Sequence, residues 1–454
     1  MSPISRIKGL PRRVLGTVAR RLLSMAALEP AHLKAFLRRP PQVNGGEKSR
    51  RYPWPRRRHF GQPEKRAALR VFERERVSGN AIIYGGPEET GYCEEFTRYM
   101  GGGYADAVNS GTNAVYVALR CLDLEPFTEV IVPPITDPGG CMPVALLNCV
   151  PVPADSAPGS LNCSAAEIEA VLTERTSAII VAHLAGHPVD LDPILKLARS
   201  RAIPVIEDCA QAHGARYKGR LVGSFGDVAA FSTMHGKHHA TGAQGGVVYT
   251  RDPALFIRAK QVADRGKPFG AINNPGYLTA SLNFNQDEVS MAIGRVQLAR
   301  LSQSLVRRRR FAAAVLEAIA GIPGISMDAD RPGFESAWWF LLFRLDPERI
   351  STSATTFATA LQAEGIEGVS LGYPFFPTDH PWYRDRVVFG KSGMPWSQTP
   401  LPELGREPFP LPNARAANTN CVRVDVHENL GEGEAHDLAS ALRKLSGHFS
   451  ATNA

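Results

Sequence analysis

The chain has 454 residues, 44% of them hydrophobic and 21% charged, with a formal net charge of +8. That length exceeds one ordinary core and predicts two domains with accessories, and the composition excludes a disordered chain. No apolar run reaches the roughly 20 residues that span a bilayer, and the N-terminal arginines lead into no apolar stretch with a cleavage site, so neither a transmembrane helix nor a secretory signal is expected.

Charge is unevenly placed. Residues 1–70 hold 18 Lys/Arg against Glu29, Glu47 and Glu64 and carry +15, which leaves −7 for the rest. The seven cysteines (Cys93, Cys121, Cys141, Cys149, Cys163, Cys209, Cys421) include no CxxC pair. Their odd number in a large chain speaks for a reducing cytoplasm rather than a disulfide framework, and their spacing does not suit zinc.

Residues 1–65 read as a basic N-terminal extension, partly disordered, with Arg12–Leu23 as a basic amphipathic helix and Arg50–Phe60 (RRYPWPRRRHF) as a proline-broken basic segment. Such a segment suits anionic lipid, nucleic acid or a carrier protein, or serves as a solubilising or dimer-clasping arm. No pattern within it selects a partner, and none has the form of a DNA-binding motif.

Residues 66–320 alternate short β-branched runs with amphipathic helices. Strands are predicted at Glu129–Val132, Ala178–Ala182, Pro204–Glu207, Val228–Phe231 and Val247–Thr250. The alternation predicts a large α/β domain with a largely parallel sheet, whose ligands sit at the carboxyl ends of the strands. Residues 321–454 change character: Trp338–Leu345 reads as a strand, Ser353–Glu364 and Gly433–Leu445 as helices, and 373–413 as a proline-rich loop region. This predicts a smaller C-terminal α/β domain.

Three short segments can carry chemistry. Asn109-Ser110-Gly111-Thr112-Asn113 precedes a helix whose free N–H groups and positive dipole end would seat a phosphate, although Ser or Thr there is also an ordinary cap. Pro204 to Gln211 ends a hydrophobic strand in Glu207-Asp208, placing a carboxylate either at the mouth of the sheet or in a simple capping role. Phe231 to Lys237 follows another strand and puts a lysine where it would reach an aldehyde in the cleft, provided its amine is deprotonated. His235, His238 and His239 have no Cys or acid partner at ligand spacing, so no metal is expected. Gly242 to Gly246 lacks the Lys-Ser/Thr of a P-loop.

In their order and spacing these segments resemble the DegT/StrS family of sugar aminotransferases, from about residue 60 to 445. The matching blocks are SGT (110–112), EVIVPP (129–134), HLAGHPVDLDPI (183–194), IEDCAQAHGA (206–215), FSTMHGK (231–237), TGAQGG (241–246) and LNFNQDEVSMAIGRVQL (282–298). The resemblance implies the type I aspartate-aminotransferase fold, a large domain on a mostly parallel seven-stranded sheet plus the smaller domain, with pyridoxal 5′-phosphate as cofactor. By matching position it makes Lys237 the Schiff-base lysine and proton shuttle, and Asp208 the partner of the pyridinium nitrogen. Gln211 falls beside the ring's phenolic oxygen, and Gly111, Thr112 and Ser232, with Asn113 among the cofactor-binding residues, form the phosphate cradle. Asn283 matches an asparagine that reaches the phosphate from the neighbouring subunit, which implies a homodimer with shared active sites.

Three departures stand out. Asp137 occupies the place of an aromatic that stacks on the cofactor, Asn285 replaces an arginine in the Asn-aromatic-Arg pattern, and TGAQGG has one residue more than the usual TGEGG and lacks its glutamate. The function implied is transfer of an amino group from glutamate or glutamine to a keto-sugar, by preference nucleotide-linked, in amino-sugar, polysaccharide or secondary-metabolite biosynthesis. The alternatives are a cyclitol (scyllo-inosose-type) aminotransferase, a sugar dehydratase, which carries histidine in place of the lysine, and, least favoured, a non-enzymatic regulator of the same fold.

Overall fold

The computed structural model describes residues 40–270, 273, 276–398 and 409–451; the helix expected at Arg12–Leu23 lies outside them. Among the described residues no helix is long and apolar enough to cross a membrane.

Seven strands build the large sheet: β1 (Tyr104–Val108), β2 (Glu129–Val132), β3 (Val150–Pro153), β4 (Thr176–Ala182), β5 (Val205–Asp208), β8 (Val228–Ser232) and β9 (Gly246–Thr250). Their order is β1-β9-β8-β5-β4-β2-β3. Only β9 opposes its neighbours, pairing antiparallel with β1 and β8, while the remaining pairings are parallel. The central strands are continuous runs such as Ile179-Ile180-Val181, buried on both faces because helices cover both sides of the sheet.

The five predicted strands form within two residues of their expected limits, and two more complete the sheet. β1 (YADAV) escapes a hydrophobicity reading because Asp106 interrupts it; that carboxylate is buried and meets Lys260 at 3.0 Å. β3 (VPVP) carries two prolines, which suit a strand hydrogen-bonded on one side at the sheet edge. Two-residue strand β6 (Arg216–Tyr217) pairs with both β7 (Arg220–Leu221) and β11 (Phe334–Glu335) in a small separate sheet.

The 32-residue helix Glu288–Ile319 links the two cores. Its Met291, Leu298, Leu301 and Leu305 pack under the large sheet, and Phe311, Ala312, Val315 and Ile319 enter a second core. That second core lies against the antiparallel sheet β10-β12-β14-β13, made of β10 (Ile325–Met327), β12 (Phe340–Leu345), β13 (Val369–Leu371) and β14 (Cys421–Asp425). Helices Ala354–Ala363 and Glu432–His448 cover it.

The basic segment 40–60 is docked on this second core instead of projecting as an arm. Trp54 is buried in the core, with the Arg50 guanidinium 5.1 Å from its ring centroid. Arg50 also meets Asp437 at 2.8 Å and Glu434 at 3.1 Å. The buried Glu364 carboxylate accepts from the amides of Gln42 and Ser49, both at 2.8 Å, and pairs with Lys444 at 2.9 Å. Charges that looked available for an outside anion are thus partly met within the chain. Replacing Trp54 with Ala should cost about 3–5 kcal/mol by leaving a large cavity, seen as a lower urea midpoint.

Candidate active site

The carboxyl ends of β2, β4, β5 and β8 converge, and the loops that leave them bring the reactive groups together. Period-two alternation separates the acidic pair that ends β5. Glu207 turns into the protein, where its oxygens accept from the amides of Gly223 (2.7 Å), Phe225 (2.8 Å) and Gly226 (2.6 Å) and face His183 Nε2 at 3.1 Å. His183 Nδ1 accepts from the Val189 amide at 3.0 Å, so the ring proton sits on Nε2, toward Glu207. His183, Glu207 and Cys209 group closely enough to suggest a metal, but the imidazole and carboxylate are already engaged by protein groups.

Asp208 faces the cleft side of the sheet. Its Oδ1 accepts from the Ala210 amide at 2.9 Å, and among the described residues no donor meets Oδ2. Burial pushes its pKa up, against the pull of the Ala210 amide and of Lys237. A Cβ on Gly140 would lie 2.9 Å from Oδ2, so only glycine lets this turn close over the carboxylate. Asp208 is therefore an acid held in a dry place with one oxygen in want of a donor, which suits a protonated ring nitrogen.

Lys237 lies in the loop after β8 and is only 8% exposed. Desolvation lowers its pKa to about 8, although Asp208 and Asp137 both pull it up. Its Nζ stands 3.8 Å from the centroid of the Trp339 ring. The loop is fixed by backbone bonds: Lys237 N–H to Met234 O (2.9 Å), Thr233 N–H to Gly245 O (2.8 Å) and Thr241 N–H to Thr233 O (3.0 Å). The extra residue of TGAQGG is absorbed there, since the Gln244 carbonyl accepts from Gln286 Nε2 at 2.9 Å. His238 turns away: its Nε2 lies 3.1 Å from the Ala337 carbonyl and its ring packs near His213.

The phosphate-seat residues gather at the start of helix Gly111–Arg120. Ser110 caps it by accepting from the Asn113 amide at 3.1 Å, and Asn113 Nδ2 donates to Asn109 Oδ1 at 2.6 Å. The amides of Gly111 and Thr112 have no intrahelical acceptor by helix geometry. A Cβ on Gly111 would come within 2.5 Å of Ser232 Cβ, so the glycine allows β8 and the helix end to meet, with the free amides of the helix start beside Ser232. Gln211 is buried, its Oε1 accepting from the Ala185 amide and its Nε2 donating to Tyr373 Oη, both at 2.9 Å.

Asn283 is not brought into this cluster. It is exposed, and its Oδ1 accepts from the backbone amide (3.1 Å) and Nδ2 (2.7 Å) of Asn285. Asp137, at the place expected for an aromatic, is also exposed and accepts from the Gly139 amide at 3.0 Å. Trp339 and Tyr373 were missed in the sequence. Trp339 reads there as one more apolar residue of a strand, and Tyr373 as part of a loop; only the doubled tryptophan in SAWWF hints at a special position.

Only the neutral amine attacks an aldehyde. In cofactor-free protein the rate at which Lys237 captures pyridoxal should therefore climb with pH and level off just above pH 8, short of the ordinary lysine range. Stopped-flow absorbance across pH 6.5–10.5 would check this, and a plateau only near pH 10 would contradict it.

Residues 67–443 match the DegT/DnrJ/EryC1/StrS aminotransferase family. The chain is 36% identical over 290 residues to dTDP-3-amino-3,4,6-trideoxy-alpha-D-glucose transaminase of Streptomyces venezuelae, covering 64% of this chain and 73% of that one. It is 31% identical over 424 residues to L-glutamine:2-deoxy-scyllo-inosose aminotransferase of Streptoalloteichus tenebrarius, covering 89% and 97%. Among solved structures, the aminotransferase from Psychrobacter cryohalolentis superposes with a TM-score of 0.75 at 29% identity, over 88% of this chain and 99% of that one. The chain is a pyridoxal-phosphate-dependent aminotransferase and belongs to the DegT/DnrJ/EryC1/StrS aminotransferase family.

Proposed function

We propose that this enzyme moves an amino group from glutamate or glutamine to the ketone of a keto-sugar, by preference one linked to a nucleotide. The observation that carries the reading is the Lys237 amine, buried, with its pKa lowered to about 8, beside Asp208. The relative that makes a dTDP-amino sugar supports the acceptor class.

Bound pyridoxal phosphate supplies an aldehyde and an electron-withdrawing ring. In this reading Lys237 would be the amine that meets the aldehyde, and as a free amine it would carry a proton to and from the substrate carbon. Asp208 would favour the protonated ring nitrogen. The amides of Gly111 and Thr112, with Ser232 and Asn113 nearby, would hold the phosphate, and Gln211, fixed at both ends of its amide, would serve the ring oxygen. Asn283, exposed in one copy, serves the site of a second, so the working unit is a homodimer. The indole of Trp339 supplies an aromatic face at the lysine that Asp137 does not. The cysteines are all unpaired, as suits a reducing cytoplasm.

Dehydration is disfavoured because the lysine is present and acts electrostatically on Asp208, while His238 turns to the Ala337 carbonyl. A cyclitol acceptor is the second reading, favoured by the 2-deoxy-scyllo-inosose relative, whose match covers 89% of this chain. A spectral screen of the pyridoxamine-loaded enzyme against nucleotide-linked keto-sugars, the free sugars and scyllo-inosose separates the two; recovery of the pyridoxal spectrum with the cyclitol alone would reject the sugar reading. Replacing Lys237 with Ala should abolish the covalent cofactor–protein link that borohydride fixes, read as cofactor mass retained on the denatured chain, and slow glutamate half-transamination by roughly a hundredfold or more. Retention of both would reject the lysine assignment.

A further inference from the structure

The basic segment that precedes the family-matching region reaches the lysine loop itself. Arg57 lays its guanidinium across the backbone carbonyls of that loop: Nη1 donates to Gly236 O at 2.7 Å and more weakly to His235 O at 3.4 Å, and Nη2 donates to Lys237 O at 2.6 Å. The remaining edge of the fork faces Glu428, with Nε 3.2 Å from Oε1 and 3.3 Å from Oε2. A lysine has one compact donor and could not span two successive carbonyls and a carboxylate together.

Glu428 is shared. Its Oε2 also accepts from Arg308 Nη2 at 3.1 Å, and its Oε1 lies 3.5 Å from His59 Nδ1. Arg308 is fully buried in the long interdomain helix, and its Nη1 donates to Trp338 O at 3.1 Å and Val426 O at 2.7 Å. Trp338 adopts a positive φ of 52°, a costly conformation for a bulky residue that persists only when its surroundings impose it. The next residue is Trp339, whose ring faces the Lys237 amine and whose carbonyl accepts from the Val426 amide at 3.3 Å. One end of the network therefore holds the backbone of Lys237, and the other holds the backbone that aims Trp339. The ring and the amine are set against each other from both sides.

We infer that Arg57, bridged through Glu428 to Arg308, is a positioning residue that fixes the Lys237 amine against the Trp339 indole, and that this one side chain, not the docked segment as a whole, acts on the active site. This rests on the reading of Lys237 as the lysine that links to the cofactor. Placement of a reacting amine is worth a great deal: a displacement of about 1 Å can cost roughly a hundredfold in rate.

The test uses full-length Arg57→Gln, Arg57→Lys and Arg50→Gln. Arg50 anchors the same segment at Asp437 and Glu434 and makes no bond to the lysine loop, so its variant reports docking alone. Two quantities are read: kcat and KM for glutamate half-transamination, and the rate at which the visible band grows when apoenzyme meets pyridoxal phosphate. Arg57→Gln should lower kcat and band-formation rate by roughly 10- to 100-fold with KM within about twofold of wild type. Arg57→Lys, which restores one donor, should recover part of both losses. Arg50→Gln should lower the melting temperature and leave both rates within about twofold. Wild-type rates in Arg57→Gln would overturn the inference, as would equal losses in Arg57→Gln and Arg50→Gln. If Arg57→Gln does not fold, Arg57→Lys decides alone: wild-type rates overturn the inference, and an intermediate loss in the folded protein supports it. Failure of the underlying lysine reading has a different signature, a borohydride-fixed link between cofactor and chain that survives Lys237→Ala.

Discussion

An amine near neutrality inside a protein needs two opposing conditions at once, and the rest of this structure arranges itself around them at Lys237. Burial disfavours the ammonium, while Asp208 and Asp137 favour it, and the balance brings its pKa to about 8. Withdrawal from water is the stronger effect, and it requires walls. The large sheet supplies the floor, β12 delivers Trp339, and the Gly140 turn closes over Asp208. The same exclusion of water raises the pKa of Asp208, which increases its need for a positively charged partner. The site is prepared electrostatically for a ring cation and an amine before either has a ligand.

Much of this was legible in the chain. Continuous β-branched runs marked the central strands because a parallel sheet covered on both faces has no polar side to interrupt them. Lys237, Asp208 and Gly111 fall in segments that follow strands and so stood out as candidates, while their roles, with that of Ser232, were legible through the resemblance of those segments to the family. Trp339 and Tyr373 were not, because they lie outside those segments and meet the site only through tertiary packing. Arg57 was hidden by its company: in RRYPWPRRRHF it looks like one more solvated cation, and nothing local announces that Glu428, 371 residues away, will receive it. The residues of the Glu207-Asp208 pair alone did not say which carboxylate meets the cleft; the resemblance chose Asp208, and the alternation of the strand turns Glu207 into the protein, onto the amides of Gly223, Phe225 and Gly226.

The departures from the family pattern now have distinct physical meanings. The extra residue in TGAQGG is taken up by side-chain bonds to the Gln244 carbonyl, so the insertion changes a loop surface without loosening the lysine. Asp137 is different, because it exchanges a flat apolar surface for an exposed carboxylate that acts on Lys237, Asp208 and Tyr373. A change of that kind alters which groups are welcome in the cleft more than how the amine works.

The histidines behind the lysine loop bear on the conditions in which this enzyme survives. His213, His238 and His239 are fully buried and packed ring against ring, and burial holds all three pKa values down, that of His213 to about 3. In the unfolded chain each takes a proton near pH 6.5, so the folded state binds fewer protons throughout the interval below that value. Their contribution to stability is complete above about pH 6.5 and is lost progressively as the medium turns acid. The underside of the active site thus carries an acid sensitivity: below about pH 6.5 proton uptake by these three rings favours the unfolded chain.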